Sequence, residues 1–279
     1  MENTKSTFQR SLESGISGAT AMSINIATLM WLRTSVNYQY RYGVDMKTAF
    51  QTLYKQGGVP RFYKGVVPAL LQGPLSRFGD TFANTGVITT LNSYEYTNSL
   101  PAWSKSILAS AGAASFRIFL MPIDTLKTTM QVQGSNGISN LKMKLHKNGP
   151  SVLYHGSIAS AGATFVGHYP WFATFNSLQE MIPKGDSTLS NFGRNAFIGF
   201  TSTCVSDTLT NSIRVVKVYK QSSTDTISYT NTIKQIVNKN GISSLFGRGL
   251  KTKLLSNGIQ GIMFSVLWKY IDEKIFKNS

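Results

Sequence analysis

Three stretches of this chain repeat one pattern at a fixed interval. GVPRFYKG runs from Gly58 to Gly65, GPSVLYHG from Gly149 to Gly156, and GISSLFGRG, one residue longer, from Gly241 to Gly249. The closing glycines Gly65, Gly156 and Gly249 lie 91 and 93 residues apart. Upstream of each comes a basic residue with a polar tail: WLRTSVNYQ around Arg33, TLKTTMQVQ around Lys127 and RVVKVYKQ around Lys217, spaced by 94 and 90 residues. Two independent landmarks with one period make the chain three copies of one unit, and such units bury their apolar faces against one another. The expected units are residues 1–98, 99–185 and 186–279. Each reads as a long helix, a charged loop with a short amphipathic helix, and a second long helix. The odd-numbered long helices are expected over 12–37, 102–133 and 190–221, the even-numbered ones over 66–96, 157–180 and 250–275, with short polar linkers near 98–101 and 183–186.

Charge-free windows point these helices at a membrane. Segments 14–32, 148–179 and 254–268 contain no Asp, Glu, Lys or Arg, and 81–94 is similar. At ~1.5 Å per residue, roughly 20 residues cross a hydrocarbon layer of about 30 Å. None of the windows is a solid apolar block. They are rich in Gly, Ala, Ser and Thr, which let helix backbones approach closely in lipid. Only 14% of the residues are charged, against about a quarter in an ordinary soluble domain, and the mean hydropathy is −0.07. That balance suits helices with one lipid face and one wet face. The net charge of +16 sits largely in the loops, as in RYGVDMK, KMKLHK and KQIVNKNG, so the three loops are expected on one side together. Spread in this way it fits anionic headgroups better than nucleic acid, which would want one basic face with interleaved aromatics. The lone Cys204 excludes a disulfide framework. There is no phosphate-binding or dinucleotide glycine loop, no metal-ligand spacing and no nucleophile elbow, so an enzyme is not expected.

The stretch MPIDTLKTTMQVQG, residues 121–134, combines features that rarely meet at the end of an apolar helix. Pro122 removes a backbone donor and kinks the helix, while Asp124 and Lys127, three apart, share one face. With the closing motifs, this resembles the mitochondrial carrier family over essentially the whole chain. Its signature is Pro-x-acidic-x-x-basic, then acidic-Gly, four residues and aromatic-basic-Gly. Pro122, Asp124, Lys127, Gly149, Tyr154 and Gly156 match it, with Asn148 and His155 as near misses; Gly58, Tyr63, Lys64 and Gly65 match in the first unit, Gly241 and Phe246 in the third. MENTKSTFQR, carrying Glu2 and no Arg-rich amphipathic stretch, also resembles a family without a cleaved presequence.

The resemblance implies an all-α protein of the mitochondrial inner membrane: six transmembrane helices in three pseudo-symmetric two-helix repeats with short matrix helices, around a central cavity. In that family an acidic residue of each unit pairs with a basic residue of the next to shut the cavity on the matrix side. Here Asp124 is expected to face Lys217, with Gln131 and Gln221 bracing the pairs. The first unit has Thr28 and Met30 for the proline and the acid, and the third has Ser212 and Arg214. Lys127 is therefore expected to face Met30, and Arg33 to face Arg214. The opposite gate is weaker still, reading Phe175-Asn176-Ser177-Leu178-Gln179 and Trp268-Lys269-Tyr270-Ile271-Asp272.

Ten residues before the basic gate positions stand Ser23, Arg117 and Asp207, at substrate depth in the family. Arg117 and Asp207 either contact substrate or pair with each other. On the even helices, register from the closing glycines gives Gln72, Arg77 and His168. Arg77 has Asp80 three residues on, and His168 is either a ligand or a packed histidine. With Arg77 and Arg117 offset by Asp80 and Asp207, the expected cargo is an amphoteric or weakly charged small molecule. Cardiolipin is expected at Tyr63-Lys64-Gly65 and Tyr154-His155-Gly156, where helix N-termini offer free amides. No metal and no further cofactor are expected. Two functions remain open: a carrier moving a small metabolite by alternating access, and a carrier-derived subunit of a larger inner-membrane complex with little transport.

Overall fold

The computed structural model describes residues 7–271; its account of side chains begins at residue 20 and leaves out 77, 80–85, 88–89, 95, 98, 102–103, 106, 188–189 and 268–271. Among the described residues the chain is helical with no strand. In order come α1 (Thr7–Tyr42), α2 (Met46–Lys55), α3 (Gly58–Phe62), α4 (Val66–Ser93), α5 (Glu95–Asn98), α6 (Ala102–Phe119) and α7 (Met121–Gln133). They are followed by α8 (Gly137–Asn148), α9 (Ser157–Met181), α10 (Thr188–Gln221), α11 (Tyr229–Asn240), α12 (Ile242–Gly247) and α13 (Leu250–Ile271).

The long helices form a closed ring. α1 packs on α4, α4 on α6, α6 on α9, α9 on α10, α10 on α13, and α13 back on α1. The short helices α2, α8 and α11 lie together at one end, called here the closed end. Each buries one apolar stripe beneath the ring: Ala49 and Leu53 on α2, Leu141 on α8, Ile236 on α11. Asp45 accepts from the Thr48 amide and Ser228 from that of Asn231, so α2 and α11 start on side-chain caps.

Each unit returns from its short helix in the same way. A buried side chain of the odd helix donates to the carbonyl three residues before the closing glycine: Thr34 to Phe62 at 2.7 Å, Thr125 to Leu153 at 2.7 Å, Asn211 to Phe246 at 2.6 Å. The closing glycines follow in the left-handed region, with φ of 87° at Gly65 and 90° at Gly156, and α4 and α9 begin immediately after them. Any side chain would be strained there, and at Gly65 a Cβ would also come within 2.9 Å of the Lys127 carbonyl.

Kinking does not track proline alone. Leu120 interrupts the helix before Pro122, and the segments Ile107–Phe119 and Met121–Asn148 are bent by 63°. α1 carries a comparable non-helical residue at Leu29 (φ −106°, ψ 18°) although Thr28 replaces the proline. α10, with Ser212 there, runs unbroken from Thr188 to Gln221.

The ring is polar inside and apolar outside. Asn25, Thr34, Gln39, Asp124, Gln131, Asp207, Asn211 and Gln221 are each less than 5% exposed, whereas Val67, Leu71, Phe119, Ile158, Phe197, Ile262 and Val266 are more than half exposed. Among the described residues no single helix is long and apolar enough to cross a membrane by itself; the bent pair across Leu120 is, taken together.

Candidate functional site

A polar cavity of about 240 Å³ lies inside the ring, floored by the closed end. Its lining draws on α1 (Arg33, Asn37, Tyr40), α4 (Ala69, Gln72), α6 (Arg117), α7 (Asp124, Lys127, Thr128, Gln131), α10 (Arg214, Lys217, Val218) and α13 (Lys253, Ser256, Gln260). The odd helices reach it because they converge below Leu29 and Leu120.

Asp124 is the centre of the floor. One carboxylate oxygen accepts from Lys217 at 2.7 Å and the other from Lys127 at 2.7 Å, and Gln221 donates to the carboxylate at 3.1 Å. The expected neighbour Lys217 is thus in place. Lys127, expected to face Met30, instead shares Asp124 and reaches Gln72 at 2.8 Å. A buried carboxylate has two oxygens and can satisfy two lysines, so the missing acid at position 30 leaves neither lysine stranded. At the Met30 junction the contact is neutral: Asn37 donates to Gln131 at 2.5 Å, and Gln131 donates to the Met30 sulfur at 3.6 Å.

Arg214, expected to face Arg33, lines the same cavity as Arg33 and has an acid of its own. It pairs with Asp207 at 3.2 Å, seven residues and two turns earlier on the same helix, and Asp207 also accepts from Asn257 of α13. Arg117 lines the cavity, while His168 lies outside its lining. The His168 Nδ1 is 2.7 Å from the Ser110 hydroxyl, and its ring meets Phe172 edge-on, so it packs α9 against α6. The Arg77 and Asp80 side chains lie outside the described residues. Among the described residues no group of three or more His, Cys, Asp or Glu could hold a metal ion.

The family model for mitochondrial carrier protein matches residues 98–186 and 189–279. The chain belongs to the mitochondrial carrier family. A mitochondrial carrier-like protein of Acanthamoeba polyphaga mimivirus is 25% identical over 159 residues, 57% of this chain and 62% of that protein, so the chain spans less than two thirds of the relative it matches.

In this carrier chain the closed end is also held by cations seated on helix C-termini, a feature with no counterpart in the sequence motifs. The last carbonyls of a helix lack intrahelical donors and carry the negative end of its dipole. Arg61 donates to the carbonyls of Gln131 and Val132, both at 2.8 Å, at the end of α7. Arg248 stands over the carbonyls of Tyr40 and Arg41, both at 3.4 Å, at the end of α1. Beyond α10, Lys144 donates to the Ser223 carbonyl and Gln133 to that of Ser222, at 2.8 and 2.7 Å. Each clasp joins neighbouring units. A carbonyl acceptor has no signature in sequence, so nothing in the motifs marks these residues.

The closing motifs differ in the same way. Gly65 lies against Lys127 and Gln131, and Gly156 against Lys217 and Gln221, four residues apart in each case. Gly249, after its extra residue, meets Gln39 and Tyr40, six and seven residues past Arg33. The insertion shifts the third contact by nearly a helical turn. At Gly156 the Tyr229 hydroxyl already accepts from the Ala159 amide at 3.3 Å, so this helix start has fewer free donors than that at Gly65.

His155 stands where the family has a cation, but burial and the charges of Lys144 and Lys220 push its pKa down to about 4, so it is neutral near pH 7. Burial, with Lys220 and Arg41 nearby, pushes Lys144 down to about 8 against the partial opposition of Asp225. An unfolded lysine holds its proton to about pH 10.4. Folded and unfolded chains are therefore equally protonated at Lys144 below pH 8, and above it the folded chain binds fewer protons, so this group favours folding as pH rises from 8. The melting temperature of Lys144→Met should consequently rise less between pH 7 and 9.5 than that of the parent; equal slopes would remove Lys144 as the cause.

Proposed function

We propose that this chain is a carrier of the mitochondrial inner membrane that moves a small metabolite by alternating access. In this reading α1, α4, α6–α7, α9, α10 and α13 are six spanning helices, and the closed end faces the matrix. The reading rests on one observation above all: a cation-lined polar cavity inside a ring whose outer surface is apolar, floored by Asp124 between Lys127 and Lys217. Charge at such depth in a membrane is costly and by default functional. Opening the floor requires Asp124 to release Lys217, which lies on a different helix, so the pair is suited to break and re-form. Reconstitution of the full chain in liposomes with a panel of labelled metabolites tests this. Saturable exchange is expected, and none with any probe would end the carrier reading.

The membrane lipid belongs to the same proposal. Gly65 opens α4 with no side-chain cap on its first amides, and Lys64 precedes it, a setting suited to a cardiolipin phosphate. Cardiolipin should raise the melting temperature in detergent more than phosphatidylcholine does, and Lys64→Gln should reduce the difference. Equal stabilisation by both lipids would refute the site.

A further inference from the structure

Outside the ring, at the closed end, cations gather without acids to match them. Lys144 of α8 is 6% exposed, and its ammonium donates to the Ser223 carbonyl. Arg41 of α1 reaches the same residue, donating to the Ser223 hydroxyl at 3.2 Å, with its guanidinium 3.9 Å from the centre of the Tyr219 ring. Lys220 of α10, 8% exposed, donates to the Ile227 carbonyl and lies over the Tyr229 ring. Every one of these partners is neutral. Among the described residues none of the three cations lies within ion-pair distance of a carboxylate. They come from three different units, and the charges of Lys220 and Arg41 bear on Lys144. Like charges gathered away from bulk water repel, and a bound anion relieves them.

Beside this cluster a pocket of about 380 Å³ opens between α8 and the loop that joins α10 to α11. Lys144 and Lys147 line it from α8, Thr224 and Thr226 from the loop. Lys147 is exposed and makes no hydrogen bond or ion pair among the described residues. Asp225, exposed between the two threonines, acts on Lys144 electrostatically but stays beyond ion-pair distance. Two ammonium groups on one wall and two hydroxyls on the other suit an anion with several oxygens, which can accept from both walls at once. Met143 is the one apolar side chain in the lining, so the pocket offers an acyl chain little to lie on.

We infer that this pocket binds a small phosphate-bearing solute, held by Lys144 and Lys147 on α8 and by the Thr224 and Thr226 hydroxyls of the loop. The site lies apart from the central cavity and does not need the carrier reading. Its volume equals roughly thirteen water molecules at about 30 Å³ each, room for a phosphate group with a small organic body. A bound phosphate is also a clamp between units. α8 follows α7 after three residues, Gly134–Asn136, and the loop follows α10 directly. An anion bridging α8 to the loop therefore ties α7 to α10, the helices that carry Asp124 and Lys217, and opposes their separation.

The test uses the purified full chain in detergent with inorganic phosphate, glycerol phosphate, sulfate, chloride or phosphatidic acid at equal ionic strength, read by thermal shift and calorimetry. Phosphate and glycerol phosphate should stabilise more than chloride. Lys147→Gln should raise the half-saturating phosphate concentration about two- to fivefold, as for an exposed pair, and Lys144→Met about tenfold, as for a buried charged contact. Sulfate keeps its charge between pH 7 and 9, whereas Lys144 loses its proton at about pH 8. Sulfate affinity should therefore fall across that range in the parent and stay level in Lys144→Met, where Arg41, Lys147, His155, Lys220 and Asp225 all remain. A cysteine at Thr128, in a Cys204→Ser background, should react more slowly with thiol reagents when phosphate is bound. No stabilisation beyond that by chloride, or a level sulfate profile in the parent, would overturn the site. So would phosphate binding unchanged in both variants, which would place the anion elsewhere. Phosphatidic acid acting through Lys147 where inorganic phosphate does not would make the occupant a lipid and overturn the solute. Unchanged access at residue 128 would overturn the clamp and leave the site standing.

Discussion

Replacing Asp124 by asparagine should destabilise the closed cavity by about 3–5 kcal/mol, the range for stripping one partner from a buried charge network. Asp124 is 4% exposed and holds two lysines that are each 17% exposed at the side chain. Asparagine keeps the shape and one acceptor, so the loss is almost purely of charge, and it leaves Lys127 and Lys217 facing each other. Their partial exposure admits some screening and places the effect toward the lower end. Thermal or denaturant unfolding measures it, and a change below about 1 kcal/mol, typical of an exposed pair, would show that the network is solvated. Asp124→Lys should be worse, gathering three lysines. Adding Lys217→Asp should recover part of the loss, because the new carboxylate can reach the introduced lysine or Lys127, though without the geometry in which Asp124 holds both of its partners. The double-mutant cycle isolates that coupling, and strictly additive effects would rule out direct contact. Exchange in liposomes should follow the same order.

The long helices, the bend at Pro122 and the closing glycines were legible because each leaves a local mark: charge-free windows, a missing donor, a glycine at a fixed interval. The proximity of Asp124 and Lys217 followed from the family resemblance, which pairs the acid of one unit with the base of the next. Sharing was harder to see. Register assigns one partner to each residue, and it therefore left Lys127 beside Met30 when the second Asp124 oxygen was available. The Asp207–Arg214 pair, seven residues and so two turns apart on one face, was within reach of helical periodicity but hidden by comparing units only with one another. Lys253 and the inserted residue before Gly249 break the three-fold pattern, and averaging over repeats discounts such departures.

Arg61→Met should cost about 2–6 kcal/mol, since it orphans two buried carbonyls at roughly 1–3 kcal/mol each. The guanidinium, 4% exposed, spans the Gln131 and Val132 carbonyls at the end of α7 and also donates to Gln56 at 3.0 Å. Methionine retains most of the volume against Gly134, so cavity formation contributes little. Arg61→Lys should fall between, because a single ammonium keeps the charge near the helix C-terminus but cannot reproduce the two-pronged geometry. Lys64→Met, at the family's own basic position, should cost less than either, since its side chain is half-buried and holds no helix end. Unfolding free energies of the three variants give the ranking. Because Arg61 joins the first unit to the second across the closed end, its loss should also favour opening there, visible as faster protease or thiol-reagent access to a cysteine placed at Thr128 in a Cys204→Ser background. If Arg61→Met matched Lys64→Met in stability and access, the Arg61 clasp would not be what holds the closed end.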